Sequence, residues 1–112
     1  MAAYIIIHVD IRNMEIYKRY MVHTPRIIHQ FGGKFIVRGG KVETLEGEEE
    51  KLRLVIIEFP SMEQARAFYH SGEYQAVKKL REGGGPAQFV AVEGYPESTW
   101  ASVLLDSQKL GL

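Results

Sequence analysis

The chain has 112 residues, with 14 Lys plus Arg against 14 Asp plus Glu, 46% hydrophobic residues and no cysteine. A chain of 12.8 kDa leaves about 6,300 Å² accessible and buries about two thirds of its unfolded surface, so one compact domain forms without disulfide or metal staples. The missing thiol excludes a disulfide scaffold, a thiolate nucleophile and Cys-based metal sites, and makes a reducing cytoplasm the natural compartment. Zero formal net charge supplies no field to gather nucleic acid or acidic lipid.

Ala3 to Ile11 is rich in β-branched residues and apolar on both parities, with Ile5, Ile7, Val9 and Ile11 on one face and Tyr4 and Ile6 on the other. This predicts a strand covered on both sides. It lacks the basic start of a signal peptide and meets His8 and Asp10 too soon for one. No apolar stretch approaches the roughly 20 residues needed to span a bilayer, so no membrane partner is expected. Asn13 caps a helix whose buried stripe runs through Ile16, Tyr17, Tyr20, Ile27, Ile28 and Phe31, with a kink at Thr24-Pro25, where proline interrupts the backbone ladder. Gly32-Gly33 ends it.

Lys34 to Val37 reads as a second strand, continued beyond Gly39-Gly40 through Lys41 to Leu45, and the acidic segment Glu46 to Lys51 turns the chain. Leu52 to Phe59 is a third strand, again apolar on both parities, and Pro60 stops it. Ser61 and Gln64 form a capping-box pattern ahead of the next helix, whose face is Met62, Ala65, Phe68 and Tyr69. Ser71-Gly72 breaks that helix before a further segment carrying Tyr74, Val77 and Leu80. Phe89 to Glu93 is the fourth strand.

Strand, helix, strand, strand, helix, strand is the ferredoxin-like βαββαβ pattern: an α+β fold with two helices on one face of a four-stranded antiparallel sheet. Because the strands are apolar on both sides, a second copy is expected on the open sheet face, giving a homodimer. Residues 1–94 form the domain. Residues 95–112 form an extension in which Trp100, Val103, Leu104 and Leu110 suit a short docking helix.

Three segments carry a family resemblance: Phe31 to Gly40, Val55 to Ser61, and Ala65 to Tyr69 with Ser71-Gly72-Glu73-Tyr74. In order and spacing they resemble the bacterial domain-of-unknown-function 1330 family from about Ala3 to Gly94. The resemblance implies a subunit of the dimeric α+β barrel superfamily, which includes cofactor-free antibiotic-biosynthesis monooxygenases and haem-handling enzymes. The family has no settled activity.

Candidate chemistry follows from the mixed strand faces. His8 shares the parity of Tyr4 and Ile6, and Glu58 that of Leu54 and Ile56. The first and third strands are expected to lie adjacent and parallel, so that His8 and Glu58 meet near one end and Arg38 beside the glycine bend points into the same space. A His, a carboxylate and an Arg around an apolar cavity fit an anionic small molecule, with His8 or Glu58 as the catalytic candidates that move a proton. The simpler assignment is an Arg38–Glu58 ion pair lining the sheet interface and a satisfied, half-buried His8. Tyr74, inside a family motif and just after a helix break, is a further ligand-binding candidate. The remaining tyrosines at helical spacing read as core with a wet tip.

His23, His29 and His70 lack metal-ligand spacing, so no metal and no cofactor is expected. Gly83-Gly84-Gly85-Pro86 leads from a helix into a strand, the wrong order for a phosphate loop. Lys78-Lys79-Leu80-Arg81 complements the dipole at a helix end. Two readings of function remain open at this point: a homodimer binding a small organic molecule, with or without cofactor-free catalysis, and a non-catalytic dimeric interaction module.

Overall fold

β-branched residues on both parities make Ala3–Val9 (β1) a central strand. Its partners are Arg53–Phe59 (β3) on one side and Ala87–Glu93 (β4) on the other, both antiparallel to it. Lys34–Arg38 (β2) extends the sheet beyond β3, giving the order β2-β3-β1-β4. The first crossover consists of Met14–Met21 (α1) and Thr24–Gln30 (α2), and the second of Met62–His70 (α3), Gly72–Lys78 (α4) and a 3-10 turn at Lys79–Arg81. Glu97–Leu110 (α5) follows the last strand. The computed structural model describes residues 1–111; Leu112, the last residue of the expected 95–112 extension, lies outside the described residues.

The helix punctuation follows the local chemistry. Asn13 Oδ1 accepts the Ile16 amide at 3.1 Å, and Ser61 Oγ accepts that of Gln64 at 3.1 Å. The Gln64 side chain reaches across to donate to the Phe31 carbonyl at 3.1 Å. Pro25 sits in the first turn of α2, where its missing N–H costs least, so the predicted kink is a break between two helices. Ser71 does two jobs. Its hydroxyl donates to the Phe68 carbonyl at 2.8 Å, ending α3, and accepts the Tyr74 amide at 3.1 Å, starting α4.

Two expectations are corrected. β1 and β3 are antiparallel, not parallel. In a split βαβ unit the first two strands are parallel through their crossover, and the strand inserted between them is a hairpin partner of the second, hence antiparallel to both. The second strand also stops at Arg38 and does not resume over Lys41 to Leu45. Gly39 donates its amide to the Leu54 carbonyl at 3.0 Å and then turns away at φ +71°. A Cβ there would strike the Arg53 guanidinium, and β3 itself begins at Arg53, so the following residues have no ladder to join.

The inward parity of β1 and β3 packs under the helices. Ile5, Ile7, Val9, Val55, Ile57 and Phe59 meet Tyr17, Tyr20, Ile27, Ile28, Phe68 and Tyr74 in one core. The outward parity is open: Val37, Ile56, Ile6 and Val90 lie in one row across four strands, with Tyr4 and Val92 beside it. None of α5 is buried, and Trp100 is 51% exposed. The accessible surface is 7818 Å², well above the roughly 6,300 Å² expected for this mass. The radius of gyration is 16.9 Å where about 13 Å suits a compact chain of this length. The excess comes with the uncovered sheet face and the projecting helix.

Candidate functional site

The antiparallel register separates the residues that the sequence had placed together. Glu58 pairs with Tyr4, and His8 pairs with Leu54, so the two lie four residues apart along the sheet, about 13 Å. Each has a local partner. His8 Nδ1 lies 3.7 Å from Glu50 Oε1, and Lys34 Nζ lies 3.7 Å from Glu58 Oε1. Arg38 is on the other face: an irregularity between Phe35 and Val37 shifts the register, and Arg38 pairs with Val55, whose side chain points to the helices. Its guanidinium stacks 4.2 Å from the Phe35 ring centroid and donates to the Met21 carbonyl at 3.1 Å, satisfying an orphan acceptor at the end of α1. Tyr74, the fourth candidate, is fully buried.

A cavity of about 400 Å³ lies elsewhere, between α3 and the inward face of β4. That face reads Ala87, Phe89, Ala91, large between two small. The alanines cannot fill the height that Ile and Val occupy under the helices on β1 and β3, and Ile5, Ala65, Arg66, Tyr69 and His70 complete the lining of a chamber that opens to solvent past the exposed Ala91. Lys78 and Arg81 line it too, and both also line a neighbouring cleft of about 540 Å³ with Arg12, Lys79 and Glu82. The glycine loop shapes that cleft. The Gly84 carbonyl accepts the Arg12 and Asn13 amides at 2.8 and 3.2 Å, and the Pro86 carbonyl that of Asp10 at 3.0 Å. Gly85, at φ +127°, lies so close to the Asp10 carbonyl that no Cβ fits. The loop therefore presents acceptors to the β1–α1 junction rather than amides to an anion.

Arg81 is the most unusual group here. Its guanidinium lies 5.0 Å from the Phe89 ring centroid and 5.4 Å from that of Tyr20. Its Nε is buried and has no hydrogen-bond partner. Among the described residues no carboxylate forms an ion pair with Arg81, Lys78 or Lys79. Desolvation opposes its charge, but the surrounding phenols of Tyr74, Tyr20 and Tyr17 outweigh that and its pKa is raised; it is a cation at any working pH. Behind it, the Tyr20 and Tyr74 hydroxyls share a 2.8 Å hydrogen bond. Burial, and then Tyr74, push the Tyr20 phenol far up; burial likewise raises Tyr74, against the Tyr20 hydrogen bond and Arg81. Both therefore stay neutral. Lys78 Nζ donates to the Tyr69 hydroxyl at 2.9 Å, so the second cation is tethered to the chamber wall.

As a run in the sequence, Lys78-Lys79-Leu80-Arg81 suits a helix end balanced against its dipole. That account fails for Arg81, because the 3-10 turn rotates its side chain toward the Tyr20 and Phe89 rings. One signal was present: small residues on both sides of Phe89 at inward parity mark missing volume. Among the described residues no three His, Asp or Glu side chains converge as a metal site, and no helix is long and apolar enough to cross a membrane.

Residues 2–95 match the family described as Domain of unknown function (DUF1330). The chain belongs to this family. No curated protein matches it. Among solved structures it is similar to a protein of unknown function from Rhodopseudomonas palustris, with 17% identity, a TM-score of 0.68, and 85% of this chain and 83% of that one covered. It is also similar to a dimeric ferredoxin-like protein of unknown function from Jannaschia sp. CCS1, with 13% identity, a TM-score of 0.58 and coverage of 84% and 100%. A third likeness is to a dimeric protein of unknown function and ferredoxin-like fold from Bacteroides fragilis, with 12% identity, a TM-score of 0.50 and coverage of 83% and 96%. At such identities the likeness shows the fold, which is ferredoxin-like.

Proposed function

We propose that this family member is a homodimer that binds a small organic anion in the chamber between α3 and β4, with Arg81 and Lys78 receiving the charge. The observation that carries the reading is the pair of cations, Lys78 and Arg81, that line this chamber with no carboxylate partner among the described residues. Charges drawn out of water call for a counter-charge, and a ligand anion in the chamber supplies one. A chamber of about 400 Å³ falls within the usual range of small-molecule sites. Tyr74 acts here as a positioning residue, fixing Tyr20 beneath Arg81 rather than touching the ligand.

The dimer is supported by the apolar row on the open sheet face and by the two similar proteins described as dimeric. Roughly 800 Å² per partner suffices for a stable association, and the surface in excess of that expected for this mass is larger. His8 and Glu58 lie on that face, and their pairing with Glu50 and Lys34 favours the non-catalytic alternative for these two residues, as charges that set the register of the two copies. α5 extends the same surface from the end of β4 and docks on the second copy.

Amide chemical shifts followed during titration with benzoate test the site. Residues 78–81 and 87–91 are expected to move, and Arg81→Met to abolish the movement; unchanged spectra at millimolar benzoate overturn the reading. Sedimentation velocity tests the assembly, with a dimer expected for the native chain and a monomer for Ile56→Lys. A native monomer at micromolar concentration overturns the dimer.

A further inference from the structure

We propose that the ligand is an amphipathic monocarboxylate, its head held by Arg81 and Lys78 at the junction of the two cavities and its apolar body lying in the chamber along β4. This rests on the anion site just described and names its substrate class.

The apolar half comes from the lining. Ile5, Ala65, Ala87, Phe89 and Ala91 present hydrocarbon to the 400 Å³ chamber, Lys78 and Arg81 stand where it meets the neighbouring cleft, and Arg66 and His70 of α3 line it apart from that cleft. A small inorganic anion would leave the hydrocarbon walls unused. An uncharged apolar ligand would leave the Arg81 and Lys78 charges without a partner.

The choice of head follows from what each cation has free. Arg12 Nε already donates to Asp10 Oδ2 at 3.0 Å, and Lys79 is exposed, so neither is dehydrated in advance. Glu82 adds a negative charge to the outer cleft, opposing a dianion there. Arg81 brings a planar guanidinium to both cavities, and its fork of donors matches the two oxygens of a planar carboxylate. Lys78, held by Tyr69 at 2.9 Å, supplies a point charge without a preferred plane.

The experiment is calorimetric titration of the native chain with acetate, butanoate, hexanoate, octanoate, decanoate, decanol and decyl phosphate, all below their micellar concentrations, repeated on Ala91→Leu and Arg81→Met. Affinity is expected to rise from butanoate to decanoate by about tenfold for every two methylenes, with decanol at least tenfold weaker than decanoate. Ala91→Leu narrows the chamber and should flatten the chain-length dependence, weakening decanoate more than butanoate. Arg81→Met should reduce decanoate to the level of decanol. Binding of short and long carboxylates with equal affinity overturns the amphipathic ligand and leaves the anion site intact. Tighter binding of decyl phosphate than of decanoate overturns the carboxylate head. Absence of binding by every compound overturns both this proposal and the anion site. Thermal melting of each variant separates a narrowed chamber from a misfolded chain, since a folded Ala91→Leu that keeps the full chain-length dependence also counts against the proposal.

Discussion

The inward face of the sheet is two surfaces of different character. Over β1 and β3 it is close-packed: Ile5, Ile7, Val9, Val55, Ile57 and Phe59 are each at most 7% exposed, and Phe59 stacks on Phe68 with centroids 5.3 Å apart. Over β4 the same layer of helices meets Ala87, Phe89 and Ala91, and a cavity of about 400 Å³ remains. The two regions differ in cover and in side-chain volume, since β4 is the edge strand, with Ala87 and Phe89 half-buried and Ala91 exposed. Interiors pack at crystal-like density, so two alanines where neighbouring strands carry Ile and Val leave a gap that the backbone does not collapse to fill. The packed region holds the fold, and the underfilled region, with a desolvated guanidinium at its edge, is where binding free energy is available.

Truncation in each region gives the largest contrast. Phe59→Ala is expected to cost about 3–5 kcal/mol of unfolding free energy, the range for a fully buried Phe, whereas Phe89→Ala, beside an existing cavity, should cost about 1–2 kcal/mol. Urea denaturation of the two variants measures this, and equal losses would remove the distinction between the regions.

The Tyr20–Tyr74 pair lies on the boundary. Tyr20→Phe leaves the Tyr74 hydroxyl without its partner and should cost about 1–3 kcal/mol. The double variant with Tyr74→Phe should cost no more than either single one, because no unpaired hydroxyl is left. The Tyr20 phenol titrates higher in the folded state than its ordinary value of 10.0. Its contribution to stability is therefore fully present below about pH 10 and is lost as pH rises from there through the folded value. Native stability should fall more steeply above about pH 10 than that of Tyr20→Phe, and parallel curves would mean that the phenol is not desolvated.

The smallest effect is expected at Arg81. Its guanidinium is unpaired by any carboxylate, so Arg81→Met should change stability by less than about 1 kcal/mol. A larger loss in urea titration would make Arg81 part of the packed region and not of the site.

Much of the fold was legible from particular residues. Asn13, Ser61, Pro25 and Ser71-Gly72 carry local chemistry that acts within a turn of themselves, and each acts as its type predicts. The element order followed, and with it the ferredoxin-like fold class. The four-residue spacing along the sheet between His8 and Glu58 was not read correctly, because it depends on strand direction, which is a property of how two crossovers and a hairpin connect and not of either strand. Arg38 was misplaced for a smaller reason: one irregularity between Phe35 and Val37 inverts the parity of all that follows in β2. The site was half legible, in the Ala-x-Phe-x-Ala pattern of β4, but its cations were not.

The sequence by itself determined the periodicities, caps and breaks, and an apolar content too large for one helix-covered face, because these depend on neighbours within a few residues. Only the tertiary structure decided that Arg81, at a helix end, lies between Tyr20 and Phe89, residues 61 positions earlier and eight later in the chain. Desolvation of a charge is set by everything packed around it, and that is written in no local stretch of sequence.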